Sequence, residues 1–327
     1  HPNDVYAVPQ SMLYQPSPQI WTCTVRGKNI NPGVILTLQN NDLDINLSAN
    51  VLDINQGKRD IEFFWQPQEL SFADILEKIG QIPLPPYIHR KPIDLDKKRY
   101  QTVFSEVVGS VAAPTAGFHF TPEIIQSIKH KGIEFGEITL HIGSGTFAPL
   151  KSDNVIEHNM HYEQVIISKE FIKQLINFLE NKAGYIIHTG TTTVRTLETL
   201  YWFGVKAYLN KLNDFNFTQW EWINLQNDAD ITFLKSLHFL LNYLENKNIN
   251  QIIGDTQLFI VPGYKYRTCD GLITNFHLPK STLLLLVAAF TGRDLFKRIY
   301  NEALANDYRF LSYGDASFLL KSSPNAR

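Results

Sequence analysis

The stretch "GYIIHTGTTTVRTLE", residues 184–198, changes its period halfway along. The first half reads as a β-strand, Gly190 interrupts it, and a threonine-rich turn then opens a helix. A strand that runs directly into a helix is the repeating unit of an α/β fold. The same alternation extends to both sides: strand-like "EITLHIG" and "QVIIS", a helix opened by Ser168, then "GLITNF" ahead of the helix "STLLLLVAAF". Residues 71–327 are therefore expected to form an α/β domain.

The first 70 residues read differently. "IWTCTVR", "VILTL", "DINLSANVLDI" and "IEFFW" are alternating or β-branched runs separated by Gly, Asn and Asp turns, which predicts a small all-β domain over residues 1–70. From Ser71 the period becomes helical, with a stripe of Phe72, Ile75, Leu76 and Ile79, a capping box of Ser71 with Asp74, and a stop at Gly80. Thr121-Pro122-Glu123 is a second strong helix start, and Gly132 closes that helix. Residues 204–251, rich in Asn and Trp, read as a peripheral excursion ending in a helix near "FLLNYLEN".

Composition narrows the class. With 327 residues and 44% hydrophobic content the chain can bury a large core and divides into two domains. The longest apolar run, "LLLLVAAF", is far short of the roughly 20 residues a membrane-spanning helix needs, and the start shows no secretory pattern. Cys23 and Cys269 are far apart and lack CxxC spacing, which encodes neither a disulfide framework nor a zinc knuckle and fits the cytoplasm. A formal charge of -2 argues against a generally basic nucleic-acid binder. Lys97-Lys98-Arg99 and Lys129-His130-Lys131 are local clusters able to meet phosphates.

Several stretches carry chemistry. In "GSVAAPTAGFHF", residues 109–120, small residues including Thr115 and Gly117 permit either close backbone approach to a ligand or a tight buried crossing, and His119 ends the run. In "LHIGSGTF" a strand end at His141 precedes Gly143, Gly145 and Thr146, whose N–H groups suit an anion or a ribose. The dinucleotide fingerprint requires a helix after its glycines, and Ala148-Pro149-Leu150 follows instead. Ser144 does not sit in a hydrolase elbow. Thr191, Thr192 and Thr193 make a helix start suited to an anion, with Arg195 about one turn on; ordinary N-capping is the alternative. "DGLITNFHLPKST" gathers Asn275, His277 and Lys280 at a strand end, where α/β proteins bind ligands. "EHNMHYE", residues 157–163, offers His158, His161 and Glu163 as a metal set, a proton-transfer group or a structural hydrogen-bond network.

Taken in order, "RYQTVF", "GSVAAPTAGFHFT", "LHIGSGTFAPL", "HNMHYE", "GTTTVRTLE", "TNFHLPKSTLL" and "YRFLSYGDASFLL" resemble the successive signatures of the S-adenosylmethionine:tRNA ribosyltransferase-isomerase family of queuosine biosynthesis. The resemblance runs from about Trp21 to Leu320. It implies an α/β catalytic domain with a small all-β barrel-like domain, the latter incomplete because the family's usual N-terminal segment is not in this sequence. Ser144 stands where the family more often has Leu or Ala, and His188 where an apolar strand residue is usual. The implied reaction transfers and isomerises the ribosyl moiety of S-adenosylmethionine onto 7-aminomethyl-7-deazaguanine at the tRNA wobble position. Epoxyqueuosine-tRNA forms, and adenine and methionine are released. S-adenosylmethionine is a cosubstrate; no resident cofactor, metal, membrane or stable protein partner is implied. Such chemistry needs acids and bases. His119, His141, His158, His161 and His277 are the candidates, with Glu163 orienting or serving as base and Asp315 a further carboxylate. Thr191–193 and Arg195 suit the methionine carboxylate, Lys280 a tRNA phosphate, and Lys97, Lys98 and Arg99 the tRNA backbone. A catalytically inactive tRNA-binding relative and a metal-dependent hydrolase are the competing classes. Adenine release separates the first of them and chelator sensitivity the second.

Overall fold

The computed structural model describes residues 13–25, 27–40, 42–55, 58–81, 84–85, 87–105, 113–141, 155–181 and 184–321, with the backbone alone at Asp94, Lys97, Lys98 and His141. The alternating runs near the start form β1 (Gln19–Cys23), β2 (Ile35–Asn40), β3 (Ile45–Asn55) and β4 (Lys58–Gln66). All pairs are antiparallel, in the order β1-β4-β3-β2, with Trp21 opposite Ile61 and Leu47 opposite Trp65. The inner face packs on α1 (Phe72–Ile79), whose Phe72 and Ile75 share a core with Trp21, Ile45 and Trp65. The Phe72 ring lies 5.4 Å from the rings of both tryptophans. The capping box is formed: Ser71 Oγ accepts from the Asp74 N–H at 3.2 Å, and the Asp74 carboxylate accepts from the Ser71 N–H at 2.8 Å.

This packing sets the extent of the smaller unit, which runs to Leu84 and takes in Ile88–Asp94. A boundary at residue 70 would cut Phe72 and Ile75 away from the tryptophans they help to bury. Among the described residues the sheet is open, with β1 and β2 at its edges, and no closed barrel is formed.

The larger unit contains α2 (Asp94–Arg99) from Leu95 on, a 3-10 turn (Thr115–His119), α3 (Pro122–His130), β5 (Thr139–His141), β6 (Glu163–Ser168), α4 (Lys169–Glu180), β7 (Ile187–Thr189) and α5 (Thr191–Tyr208). It continues through β8 (Asn216–Phe217), α6 (Glu221–Asp228), α7 (Phe233–Asn246), β9 (Gln251–Thr256), β10 (Gly271–Asn275), α8 (Thr282–Thr291), α9 (Arg293–Ala305) and β11 (Ala316–Leu320). Two sheets result, β5-β6-β9-β8 and β11-β10-β7, in a mixed α/β architecture. Thr121, Ser168 and Ser281 cap their helices as expected, each accepting from the N–H three residues on.

Helix α5 organises this unit. Gly190 turns the chain into it at φ 92°, a conformation that side-chain-bearing residues rarely adopt, and its N–H is tied to Ile273 O at 2.8 Å. The helix then packs on β7, β9, β10, α6 and α7, and so is buried on nearly all sides. Its one buried carboxylate, Glu198, accepts from Tyr264 Oη at 2.8 Å, Thr268 Oγ1 at 2.8 Å and the N–H groups of Arg267 and Thr268 at 3.0 and 2.9 Å. Those bonds lock α5 to the loop before β10. Burial nevertheless holds the Glu198 carboxyl above the usual range.

Residues 204–251 are not peripheral. Trp222, Leu225, Leu237, Leu240 and Leu244 belong to the main core, and the strand that follows, β9, is central to its sheet. Gly254 and Asp255 disguise β9 in the sequence. A Cβ on Gly254 would come within 2.0 Å of Phe215 O, so glycine is what lets β8 lie against β9.

Candidate active site

Strands β7 and β10 are parallel, with Ile187, His188 and Thr189 opposite Gly271, Leu272 and Ile273. Beyond their carboxyl ends opens a cleft, partly open to solvent, whose walls include Thr115, Gly190, Thr191, Thr192, Thr193, Asn275 and His277. Tyr87, Leu311 and Ser312 line it as well. One side is the start of α5, which has no side-chain cap; its first N–H bond to a preceding carbonyl runs from Val194 to Gly190 O at 3.2 Å. The N–H groups of Thr191, Thr192 and Thr193 come before that bond, and together with the helix dipole they favour an anion. Thr193 Oγ1 donates back to Thr189 O at 2.7 Å and stiffens the turn.

The opposite side centres on Asn275, only 3% exposed. Its Oδ1 accepts from Thr115 Oγ1 at 3.3 Å, and its Nδ2 lies 3.0 Å from His119 Nε2 and donates to Leu311 O at 3.1 Å. His277 is buried, its main-chain N–H donating to Tyr300 Oη at 3.3 Å. Its Nδ1 has no hydrogen-bond partner among the described residues. Burial depresses the His277 pKa to about 4, so the ring is neutral at neutral pH. His119 is also held below its ordinary value, by burial first, with the Asp315 carboxylate pulling the other way. Ser312 Oγ touches Tyr87 Oη and lies 3.3 Å from Tyr100 Oη. Burial raises both phenols, which stay protonated.

A second polar cluster reaches the same helix one turn further on. Glu163, 1% exposed, contacts His161 Nε2 at 3.1 Å and Arg195 Nη1 at 3.2 Å. Arg195 is directed inward: its Nε donates to Leu258 O at 3.0 Å and its Nη2 to Thr256 O at 3.3 Å. Among the described residues it does not line the cleft, where the N–H groups of Thr191–193 stand. The turn before His161 is clamped by two glutamines. Gln219 Oε1 accepts from the Met160 N–H at 2.9 Å, Gln219 Nε2 donates to His158 O at 2.6 Å, and Gln257 Nε2 donates to Met160 O at 2.7 Å. Met160 is buried as this requires, and the His158 ring packs against Phe259 at 5.7 Å. Burial, then the nearby His161, lowers the His158 pKa. Among the described residues no three His, Cys, Asp or Glu side chains converge as a metal-ligand set would.

The other expected site residues are dispersed. Gly117 is buried, and a Cβ there would come 2.8 Å from Thr102 Cγ2, so its smallness serves packing and not ligand approach. Asp315 accepts from the Arg309 N–H at 2.7 Å and from its guanidinium at 3.0 Å, which holds its carboxyl below the usual range. Lys280 is exposed at φ 57°, just ahead of α8. Arg99 is exposed at the end of α2. Gly143, Gly145 and Thr146, and the side chains of His141, Lys97 and Lys98, lie outside the described residues. Sequence reading missed Tyr87, Ser312, Gln219 and Gln257. Ser312 carried the only signal, standing inside the quoted run "YRFLSYGDASFLL".

A cleft at the carboxyl ends of two parallel strands, with an uncapped helix start on one side and the neutral His277 on the other, has the form of an α/β enzyme site for a small ligand with an anionic end. The profile of the family described as queuosine biosynthesis protein matches residues 5–319. An S-adenosylmethionine:tRNA ribosyltransferase-isomerase of Natranaerobius thermophilus is 39% identical over 301 residues, covering 91% of this chain and 73% of that protein. The chain belongs to this family, the S-adenosylmethionine:tRNA ribosyltransferase-isomerases of queuosine biosynthesis. The crystal structure of S-adenosylmethionine tRNA ribosyltransferase from Thermotoga maritima, at 28% identity, aligns with 92% of this chain and 70% of that one, with a TM-score of 0.40.

Proposed function

We propose that the cleft between the start of α5 and Asn275 is the donor site at which this chain carries out its family's reaction. The ribosyl moiety of S-adenosylmethionine is transferred to 7-aminomethyl-7-deazaguanine at the tRNA wobble position and isomerised, giving epoxyqueuosine-tRNA, adenine and methionine. S-adenosylmethionine enters as cosubstrate, with no resident cofactor. The observation that carries the placement is the row of N–H groups of Thr191, Thr192 and Thr193 at one wall of the cleft, matched to the methionine carboxylate.

The sulfonium acidifies the neighbouring C5′ protons, so a base opens the sequence by forming an ylide, and adenine leaves as the ribose opens. The aminomethyl nitrogen then attacks after losing a proton, the sugar oxygens close an epoxide, and methionine departs. His161 is the proton carrier in this reading, with the Glu163 carboxylate 3.1 Å from its Nε2 orienting the ring. Thr115 and the hydroxyls of Tyr87 and Ser312 hold the sugar and base by hydrogen bonds. The smaller unit is the barrel-like module of the family, and Lys97, Lys98, Arg99 and Lys280 meet tRNA phosphates. The enzyme works in the cytoplasm, on tRNA.

The test is chromatography of free adenine beside nucleoside analysis of digested tRNA, with tRNA bearing 7-aminomethyl-7-deazaguanine and S-adenosylmethionine as substrates. Both products are expected. A folded protein that binds the tRNA and yields neither product would sink the catalytic reading in favour of an inactive tRNA-binding relative.

A further inference from the structure

We infer that Asn275 is a positioning residue that holds His119 as its Nδ1–H tautomer, so that His119 is not the proton-abstracting base. The inference rests on the cleft being the donor site; the tautomer itself follows from hydrogen-bond counting.

A side-chain amide has two N–H donors on one end and acceptor lone pairs on the other, and which end is which must be settled by its neighbours. One end of the Asn275 amide faces Leu311 O at 3.1 Å. A carbonyl oxygen only accepts, so that end is Nδ2; the reverse orientation would set two acceptors against each other. Thr115 Oγ1, at 3.3 Å from Oδ1, supplies the donor that the other end needs. With one Nδ2 hydrogen used on Leu311, the second points to His119 Nε2 at 3.0 Å. Nε2 must then be the bare, accepting nitrogen, and the single proton of the neutral ring resides on Nδ1.

The assignment is anchored in the backbone. Leu311 adopts φ 71°, which a branched side chain rarely takes, with its N–H bonded to Phe276 O at 2.9 Å. Its carbonyl is therefore set by the chain and not by an adjustable rotamer. Asn275 is 3% exposed, so water does not stand in for the lost partner if the amide turns. Burial, which already disfavours the charged His119 ring, acts in the same direction. Asp315, the carboxylate whose charge would support an imidazolium, is tied to Arg309 at 2.7 and 3.0 Å.

Taking up a proton at Nε2 would set N–H against NH2, and Nδ1 is already protonated. The C5′ proton therefore goes elsewhere. His161, backed by a carboxylate instead of an amide, is the contrasting case.

Long-range proton–nitrogen correlation NMR on the protein with 15N-labelled histidine tests this directly. The His119 signals are identified by their loss in His119→Gln. At neutral pH a bare Nε2 and a protonated Nδ1 are expected for His119; a protonated Nε2 in the unsubstituted protein overturns the inference. Asn275→Asp replaces the donor by an acceptor, and should move the proton to Nε2 and raise the His119 pKa by about one unit or more. A folded Asn275→Asp protein with an unchanged tautomer would also overturn it, and if that variant does not fold the unsubstituted spectrum still decides. In the adenine-release assay Asn275→Asp should lower kcat by about tenfold or more and leave KM for S-adenosylmethionine within about threefold. A matched rise in KM with kcat unchanged would mean that Asn275 binds the ligand itself. Because the tautomer is read without turnover, a protein that shows it but releases no adenine would defeat the proposed function and leave this inference standing.

Discussion

Replacing His188 by leucine should make the protein more stable and remove most of one acid-labile step. His188 stands on β7 opposite Leu272, 1% exposed, with neither ring nitrogen hydrogen-bonded among the described residues. The Thr268 main chain comes near enough to hold its pKa up slightly but not to make a bond, and burial, followed by the Lys321 charge, drives it to about 3. In the unfolded chain the ring titrates near 6.5. The native ring therefore stays neutral while the unfolded chain takes up a proton. The stability tied to this group is fully present above about pH 6.5 and drains away as pH falls toward the folded value of about 3. Two units below the unfolded value the loss is about 2.7 kcal/mol, at about 1.36 kcal/mol per unit. Leucine fills a similar volume and cannot take a proton, and it removes a buried polar ring without partners, a gain of about 1 kcal/mol at neutral pH. Urea unfolding of both proteins at about pH 7 and about pH 4.5 gives the double difference, expected at about 2.7 kcal/mol in favour of the variant. His277 slopes in the same direction, and Glu198, with its raised carboxyl, in the opposite one. Both are common to the two proteins and cancel. Equal pH dependence, or a variant less stable at neutral pH, would refute the account of an unpaired neutral ring.

Two further outcomes bear on the site. Glu163→Gln strands the Arg195 guanidinium in the core and should cost about 3 kcal/mol, and adding Arg195→Met should restore part of it because the uncompensated charge is gone; strict additivity in urea unfolding would deny the buried pair. At a temperature where its melt shows it folded, Glu163→Gln should also release adenine about a hundredfold more slowly or worse, and a near-normal rate would remove Glu163 from proton transfer. Reversing Lys97, Lys98 and Arg99 to Glu should weaken tRNA binding and flatten its salt dependence with S-adenosylmethionine affinity unchanged; unaltered tRNA affinity would take α2 out of the footprint.

Features written within a few neighbouring residues were legible in the sequence. The caps at Ser71, Thr121, Ser168 and Ser281, the four strands before residue 70 and the strand-to-helix turn at Gly190 each depend on local dihedral preference and short-range hydrogen bonds, and each forms where its residues lie. Thr191–193, Asn275 and His277 were singled out at strand ends and a helix start, Thr115 in a run of small residues, and all line the cleft. The part that each plays was not legible. Arg195 reads as an anion-binding residue one turn into a helix, yet packing turns it inward to Glu163, which comes from a different strand. Strand β9 was hidden because the need for Gly254 is set by Phe215, a residue on another segment. The pairing of Asn275 with His119 spans 156 positions and that of Tyr87 with Ser312 spans 225. No local pattern encodes such contacts, since their energy comes from desolvating both partners together, and only the folded chain decides which donor meets which acceptor.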